Sequence, residues 1–493
     1  MFRVSSISRL LLVVLLLALA ALTGCAPPKD GPIAIGVRTA NDHAPFYIAD
    51  KLGYYAEEGL QVDVQLIPSN TEIVEAIQRG DLQVGVAPIT TAIAAVLGVF
   101  IRYSFMPLIV ADMKFLLIPW YEAAGQGGIQ VLAVQGGVPE VASQSNYLPL
   151  YLYIFTAVAK LGVPSVVGIK LISVAFEVPL IAAICLLVYA TSPVPRKKLN
   201  TTIAFIILCL HPLLILNASG WGQADVIYGS FSLLSVLLLT KGKNTWAMVC
   251  FAISFAFKLQ ALFLMPLFVM VYFCEKKLSL WQFLLVPVVV LLTSLPMGLF
   301  GHSPFYAVTC YLGQMDMYQK PTFNYPNFYA MLGEALSGKQ PIQGMISRYG
   351  MALALASLGG MLVWLIVKRA RLSRELLPLL GCWCILCTTF FMPRMHERYG
   401  FVGEMLLLCW AVSLGKPRGY AYLLLGVIPI ASAYGEYMFR KPIFSLQLGG
   451  FLNLALLGLL TWELVKAVNA AGWDAVRVEA RSGIPVPLTE EAL

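Results

Sequence analysis

From residue 97 to residue 468, apolar runs recur along the chain and short basic clusters separate them. A helix needs about 20 apolar residues to cross a hydrocarbon core about 30 Å thick. Lipid offers no water to stray backbone groups, so runs of this kind fold as helices. Composition agrees: 59% of the 493 residues are hydrophobic, 12% are charged, and mean hydropathy is +0.78. Soluble domains carry about 25% charged residues. The net charge of +8 does not point to nucleic acid, because the basic residues lie between apolar runs rather than on one soluble face. A mainly α, polytopic membrane bundle of about 9 to 12 spans is expected.

The basic clusters assign sides. They are Arg196-Lys197-Lys198, Lys241 with Lys243, Lys276-Lys277, Lys368-Arg369 with Arg371 and Arg374, and Lys416 with Arg418. The positive-inside rule puts each in the cytoplasm, and only Arg440 and Lys441 break it mildly. The opposite side then receives Asn217 to Asp225, Lys258 with Gln260, and a long aromatic loop over residues 300–347. It also receives Arg394 to Tyr399 and, working back from Arg196, Asp112. Asp112, Asp225, Lys258, Asp316, His396, Glu397 and Arg398 are thereby gathered at one face. An ionised group within a span costs about 2.5–3.5 kcal/mol on insertion scales, so such groups indicate a wet cavity. Solvated loop charges are the plainer alternative. No internal repeat or mid-span charge array suggests a transporter.

Several motifs carry a resemblance. Ala111-Asp112-Met113-Lys114-Phe115, Pro119-Trp120-Tyr121 and Tyr147-Leu148-Pro149-Leu150-Tyr151-Leu152-Tyr153 resemble the first external loop of GT-C membrane glycosyltransferases, which use lipid-linked sugars. Gly222-Gln223-Ala224-Asp225, Lys258-Leu259-Gln260 with Pro266, and Met395-His396-Glu397-Arg398-Tyr399 are similar to further motifs of the bacterial mannosyltransferase-like members. The resemblance covers residues 97–468 and implies a carboxylate base early in the first external loop. Here that is Asp112, with Glu122 as a weaker substitute. An acceptor hydroxyl attacking an anomeric carbon must lose a proton to such a group, and a polyprenyl-phosphate leaving group needs fixed cations. His396, Arg398, Arg394 and Lys258 are the candidate phosphate partners. Gln223 and Asp225 would hold acceptor or sugar hydroxyls. Trp120 and Tyr147 suit either sugar stacking or an interfacial aromatic belt. A single displacement would invert the anomeric centre. The expected partners are thus a polyprenyl-phosphate sugar, membrane lipid, and a glycan, lipid or protein acceptor. No cofactor is implied. No constellation demands a metal, although a divalent ion stays open. Cys382, Cys384 and Cys387 lie in an apolar run without histidine and read as buried thiols.

The first ninety residues read differently. Arg3 and Arg9, the apolar stretch Leu10 to Leu22, and Leu22-Thr23-Gly24-Cys25 have the form of an export signal. Their ending resembles the bacterial lipobox, which implies lipidation of Cys25; an uncleaved anchor helix is the alternative. Residues 26–88 alternate as β-α-β-α-β, with strands at Ile33 to Val37, Leu60 to Ile67 and Leu82 to Val86 and helices at Pro45 to Tyr55 and Thr71 to Arg79. APFYIADKLGYYAEEGLQV resembles periplasmic solute-binding proteins of the nitrate, sulfonate and thiamine-precursor type. By that resemblance Asn41, Asp42, His43 and Phe46 would face ligand, beyond the carboxyl ends of the strands. The segment supplies only part of one lobe, so its sheet is incomplete, and His43 is expected to be a partly exposed loop residue.

The two beginnings conflict. Export puts residues 26–88 outside, and a crossing over residues 88–110 would then leave Asp112 in the cytoplasm. Ile89 to Ile101 gives only about 13 residues before Arg102, short of a crossing. Either this run lies in the interface while Leu10 to Leu22 serves as the first span, or the join is foreign to the enzyme; the second is preferred. The expected layout is a signal or anchor at 1–25, a truncated solute-binding-like segment at 26–88, a membrane domain at 97–468 and a cytoplasmic tail at 469–493. The expected location is the bacterial inner membrane, with the site facing the periplasm or exterior.

Overall fold

The structure is a computed structural model and describes residues 31–39, 43–85, 90–134, 139–141, 143–315, 320–333 and 342–482. Cys25, Asn41, Asp42, Asp316 and Tyr318 lie outside the described residues. The chain divides into two compact units, Met1–Ile93 and Ala94–Leu493.

In the first unit, β1 (Ile33–Val37), β2 (Val62–Leu66) and β3 (Val84–Gly85) form a parallel sheet in the order β2-β1-β3. The buried β1 lies between its two partners, and Asn70–Gln78 is the helix of the crossover from β2 to β3. Ser69 caps this helix, accepting the Glu72 N–H while its hydroxyl donates to the Glu72 carboxylate. The core is small: Ala34, Ile73, Ala76 and Leu82, flanked by Ile67 and Ile77. The helix expected from Pro45 to Tyr55 is split into Ala44–Lys51 and Tyr54–Glu57 by Gly53 at φ 78°, a conformation cheap for glycine. His43 departs from expectation. It is 1% exposed, and its Nδ1 accepts the half-buried Arg38 N–H at the end of β1 at 2.7 Å, giving that backbone donor a partner. Phe46 is half-buried on Ala44–Lys51.

The second unit is helical. Five of its described helices are long and apolar enough to cross a membrane: Ser165–Thr191, Leu280–Phe300, Ile342–Val367, Pro417–Phe439 and Leu446–Ala470. A sixth span is possible if Val194–Leu210 and Pro212–Trp221, bent by 46° at His211, count as one. The set fits a multi-pass membrane protein. The 9 to 12 spans expected thus reduce to five or six by length. The other apolar helices, such as Asp225–Thr240, Asn244–Phe257, Leu377–Phe391 and Phe401–Leu414, have 10–17 residues. They stop early because the chain turns at buried polar residues: Asp225 starts one, Lys258 follows another, and Arg398 lies between the last two. Cys382, Cys384 and Cys387 are buried, unpaired thiols within Leu377–Phe391.

Loops carrying basic clusters touch one another at one set of helix ends. The Arg196 guanidinium donates to Gly415 O at 2.8 Å, the Asn244 amide to Lys277 O at 2.8 Å, and the Leu372 N–H to the Glu275 carboxylate at 2.5 Å.

The helix ending at Phe105 corrects a boundary. It runs over Thr90–Phe105, straight through Arg102, which was expected to end the apolar run. Arg102 is tolerated because its Nε sits 2.5 Å from Glu177 of Ser165–Thr191, while its Nη1 donates to Gly98 O and Cys209 O. About two turns earlier on Ser165–Thr191, the fully buried Lys170 ammonium donates to the carbonyls of Phe105, Met106 and Leu108 at 2.6–3.0 Å. Helix ends leave such carbonyls without intrahelical partners, and a cation suits them twice over. Two charges on one span thereby fix the turn that delivers the chain to Asp112.

Removing one member of a buried pair strands the other, at a cost of about 3–5 kcal/mol. Arg102→Met should therefore lower the melting temperature in detergent markedly. Adding Glu177→Met should recover most of the loss, as read by a thermal-shift series.

Candidate functional site

Asp112 opens the helical stretch Met113–Leu117, which is π-helical and continues as Ile118–Gly127. Leu216–Trp221, just before Asp225, is π-helical too, and it ends at Gly222 in the left-handed conformation. A Cβ on Gly222 would meet Ile169, Met113 and Lys170 side chains. π-Helical turns often occur at functional sites, and here each one adjoins a carboxylate.

The third contributor is the loop after Leu377–Phe391. Strands β4 (Thr322–Phe323) and β5 (Met395–His396) pair in parallel, and the Glu397 N–H donates to Phe323 O at 3.1 Å. The Asn453 amide holds Pro326 O, and Asn327 caps Phe328–Leu332. These bonds pin the aromatic loop against the segment that bears His396, Glu397 and Arg398.

Arg398 is the hub. Its Nη1 lies 2.6 Å from Glu397 Oε1, its Nη2 lies 3.7 Å from Asp112 Oδ2, and its Nε lies 3.6 Å from Asp225 Oδ2. The guanidinium rests 4.8 Å over the Trp221 ring, a cation–π geometry that gains strength when desolvated. Behind it, Lys258 Nζ is 2.5 Å from Asp225 Oδ1. The Asn217 amide donates both to Asp225 Oδ2 and to the Tyr434 hydroxyl. Three carboxylates thus surround two cations.

Of these groups, Asp112, Glu397 and Arg398 border a cavity of about 580 Å³. Asp112, Lys320, Phe323, Asn324, His396, Glu397, Arg398 and Tyr437 are among its lining residues. The Asp112 side chain is 27% exposed, whereas that of Asp225 is fully buried. Asp112 therefore faces the cavity. Asp225 and Lys258 brace Arg398 from behind, and the Gln223 amide reaches Asp112 Oδ2 only at 3.5 Å.

The sequence-derived residues divide accordingly. Asp112, His396 and Arg398 meet at the cavity, with Gln223, Asp225 and Lys258 beneath them. Arg394 is half-buried at φ 66°, and its N–H donates to Pro321 O; it is not among the lining residues. Trp120 and Tyr147 pack edge to face at 5.3 Å. Burial pushes the Tyr147 phenol well above its ordinary range. His396 stacks on Phe323 at 4.6 Å. Burial, with Arg398 and Lys258 nearby, pulls its imidazole down to about 2, so the ring is neutral and lends no charge to the site. Tyr437, Trp221 and Asn217 escaped the sequence reading. Their signal was weak, because an aromatic or an asparagine in an apolar run carries no spacing cue. Among the described residues, no group of three His, Cys, Asp or Glu has a geometry that could hold a metal ion.

A family model described as NMT1/THI5-like matches residues 40–98. The match supports the solute-binding-like reading of the first segment and leaves the larger helical unit unassigned. No curated protein matches the chain. Fold and comparison together define a multi-pass helical membrane protein preceded by a small parallel α/β segment similar to NMT1/THI5-like domains.

Burial raises the Glu397 carboxyl from 4.5 to about 7, against the opposing pull of Arg398. The folded protein therefore keeps a proton that the unfolded chain loses between those values, so stability from this group falls as pH rises from 4.5 to about 7. Glu397→Gln cannot ionise. Its melting temperature relative to the parent should rise across that window, and a pH series of thermal melts would show it.

Proposed function

We propose that the larger unit is a membrane glycosyltransferase of the GT-C type. It moves a hexose of mannose-like class from a polyprenyl-phosphate donor to an acceptor hydroxyl on the extracytoplasmic side of a bacterial inner membrane. One observation carries the reading. Asp112, Asp225, Lys258 and the adjacent pair Glu397-Arg398 come from four separate stretches of the sequence, yet they join one ionic network beside one cavity at the helix ends opposite the basic clusters.

The chemistry follows from the exposed carboxylate. The acceptor hydroxyl gives its proton to Asp112 as its oxygen attacks the anomeric carbon. The bond from that carbon to the phosphate oxygen breaks, the configuration inverts, and the lipid phosphate leaves with the bonding pair. Arg398 is the buried cation at the cavity wall, and the exposed Lys320 is a second, solvated one. Fixed cations matter most where water is excluded. Neutral His396 would donate a hydrogen bond rather than charge, and Lys258 would act through Asp225.

A second reading rests on the match over residues 40–98. It makes the chain a solute-binding lipoprotein of the thiamine-precursor, nitrate or sulfonate class fused to a membrane region. Binding of a thiamine precursor by the purified full chain, with no sugar transfer, would favour it.

Full-length protein supplied with radiolabelled polyprenyl-phosphate mannose and membrane-extract acceptors should release label into acceptor. Asp112→Asn should lower that rate by at least about 100-fold, the lower end for loss of a general base, while the variant still inserts and melts in one cooperative transition. Near-parental transfer by the variant would remove Asp112 from the role.

A further inference from the structure

Asp112 is held by a residue from the other end of the chain. The Tyr437 hydroxyl, near the end of Pro417–Phe439, accepts the Asp112 backbone N–H at 3.1 Å and donates to Asp112 Oδ1 at 2.6 Å. A phenol has one proton to give and lone pairs to receive, so both bonds are satisfied together. The N–H in question belongs to the first turn of a helix, where backbone donors lack intrahelical partners. The hydroxyl therefore closes a ring with the main chain and side chain of one residue, which restricts the carboxylate to one rotamer.

The ring of Tyr437 is fixed as well. It stacks on Trp221 with centroids 4.3 Å apart and planes 15° from parallel, and the same indole carries Arg398. Trp221 packs edge to face on Tyr434, whose hydroxyl accepts from Asn217. Asp112 and Arg398 are thus both registered on one aromatic stack.

The two carboxylate oxygens of Asp112 are not equivalent. Oδ1 is taken by the short bond from Tyr437. Among the described residues, the polar contacts of Oδ2 are long ones, to Gln223 at 3.5 Å and Arg398 at 3.7 Å. We propose that Tyr437 is the positioning residue of Asp112: it locks Oδ1 so that Oδ2 is the oxygen presented to a ligand hydroxyl in the cavity. The catalytic part of this inference rests on the reading of Asp112 as the base; the clamp itself does not.

Tyr437→Phe removes the hydroxyl and keeps the stack on Trp221. Two measurements on the full-length protein separate the possibilities. In hydrogen–deuterium exchange, peptides containing the Asp112 amide should exchange about fivefold faster, the equivalent of one lost hydrogen bond. Peptides from Phe401–Leu414 should be unchanged, which reports an intact fold. In sugar-transfer assays, kcat should fall about 10- to 100-fold, the scale of a misplaced catalytic group, with KM within about twofold. Unchanged exchange at Asp112 would overturn the clamp. Faster exchange with a raised KM and an intact kcat would overturn the positioning role. Faster exchange in a protein whose parent transfers no sugar would support the clamp while removing the glycosyltransferase reading.

Discussion

A guanidinium in a largely apolar protein must be surrounded by charge and dipoles or it does not fold inward. Arg398 meets that requirement with Glu397, Asp112 and Asp225 and with the face of Trp221. These partners come from three parts of the chain, so this single requirement draws the first helical turn after residue 111, the start of Asp225–Thr240 and the loop after Phe391 to one point. Lys258 answers the same requirement for Asp225, whose fully buried carboxylate it meets at 2.5 Å. The network is costly to assemble and costlier to break singly, which makes its geometry specific.

The supports of the site share a physical logic. Lys170 caps the carbonyls at the end of Thr90–Phe105, and Arg102 is neutralised by Glu177 on the same long span as Lys170. The pairing of β4 with β5 pins the aromatic loop. Backbone groups that lipid cannot solvate are satisfied by side chains from neighbouring helices, and these same bonds set the position of Asp112 and the walls of the cavity. Stability and site geometry are therefore not separable here.

The first unit presents the opposite situation. Its three strands follow a parallel α/β pattern and Ser69 caps its crossover helix, yet its core consists of a handful of apolar residues. Little apolar area is available to offset the entropy of ordering it. Its likeness to NMT1/THI5-like domains covers residues 40–98, and its buried His43 serves the backbone at the end of β1 rather than an open face. The ligand-loop assignment is correspondingly divided: Asn41 and Asp42 lie outside the described residues, and Phe46 is half-buried on a helix.

Hydropathy and basic clusters were enough to specify a helical membrane protein, because the demand for satisfied backbone in lipid acts locally and leaves a mark on every span. The same bookkeeping gathered Asp112, Asp225, Lys258 and Arg398 at one end of the helices, since alternate crossings must return to the same side. The three strands of the small sheet were equally legible through the alternation of apolar runs and turns, although their order was not. Depth and partnership were not. Whether Arg102 ends a helix or sits within one depends on Glu177, 75 residues away. Whether Asp225 meets a ligand or a lysine depends on how Asn244–Phe257 packs. Tyr437 reaches Asp112 across 325 residues, and no sequence pattern encodes that contact. Pairing between distant polar groups is settled only when packing decides which of them share the interior.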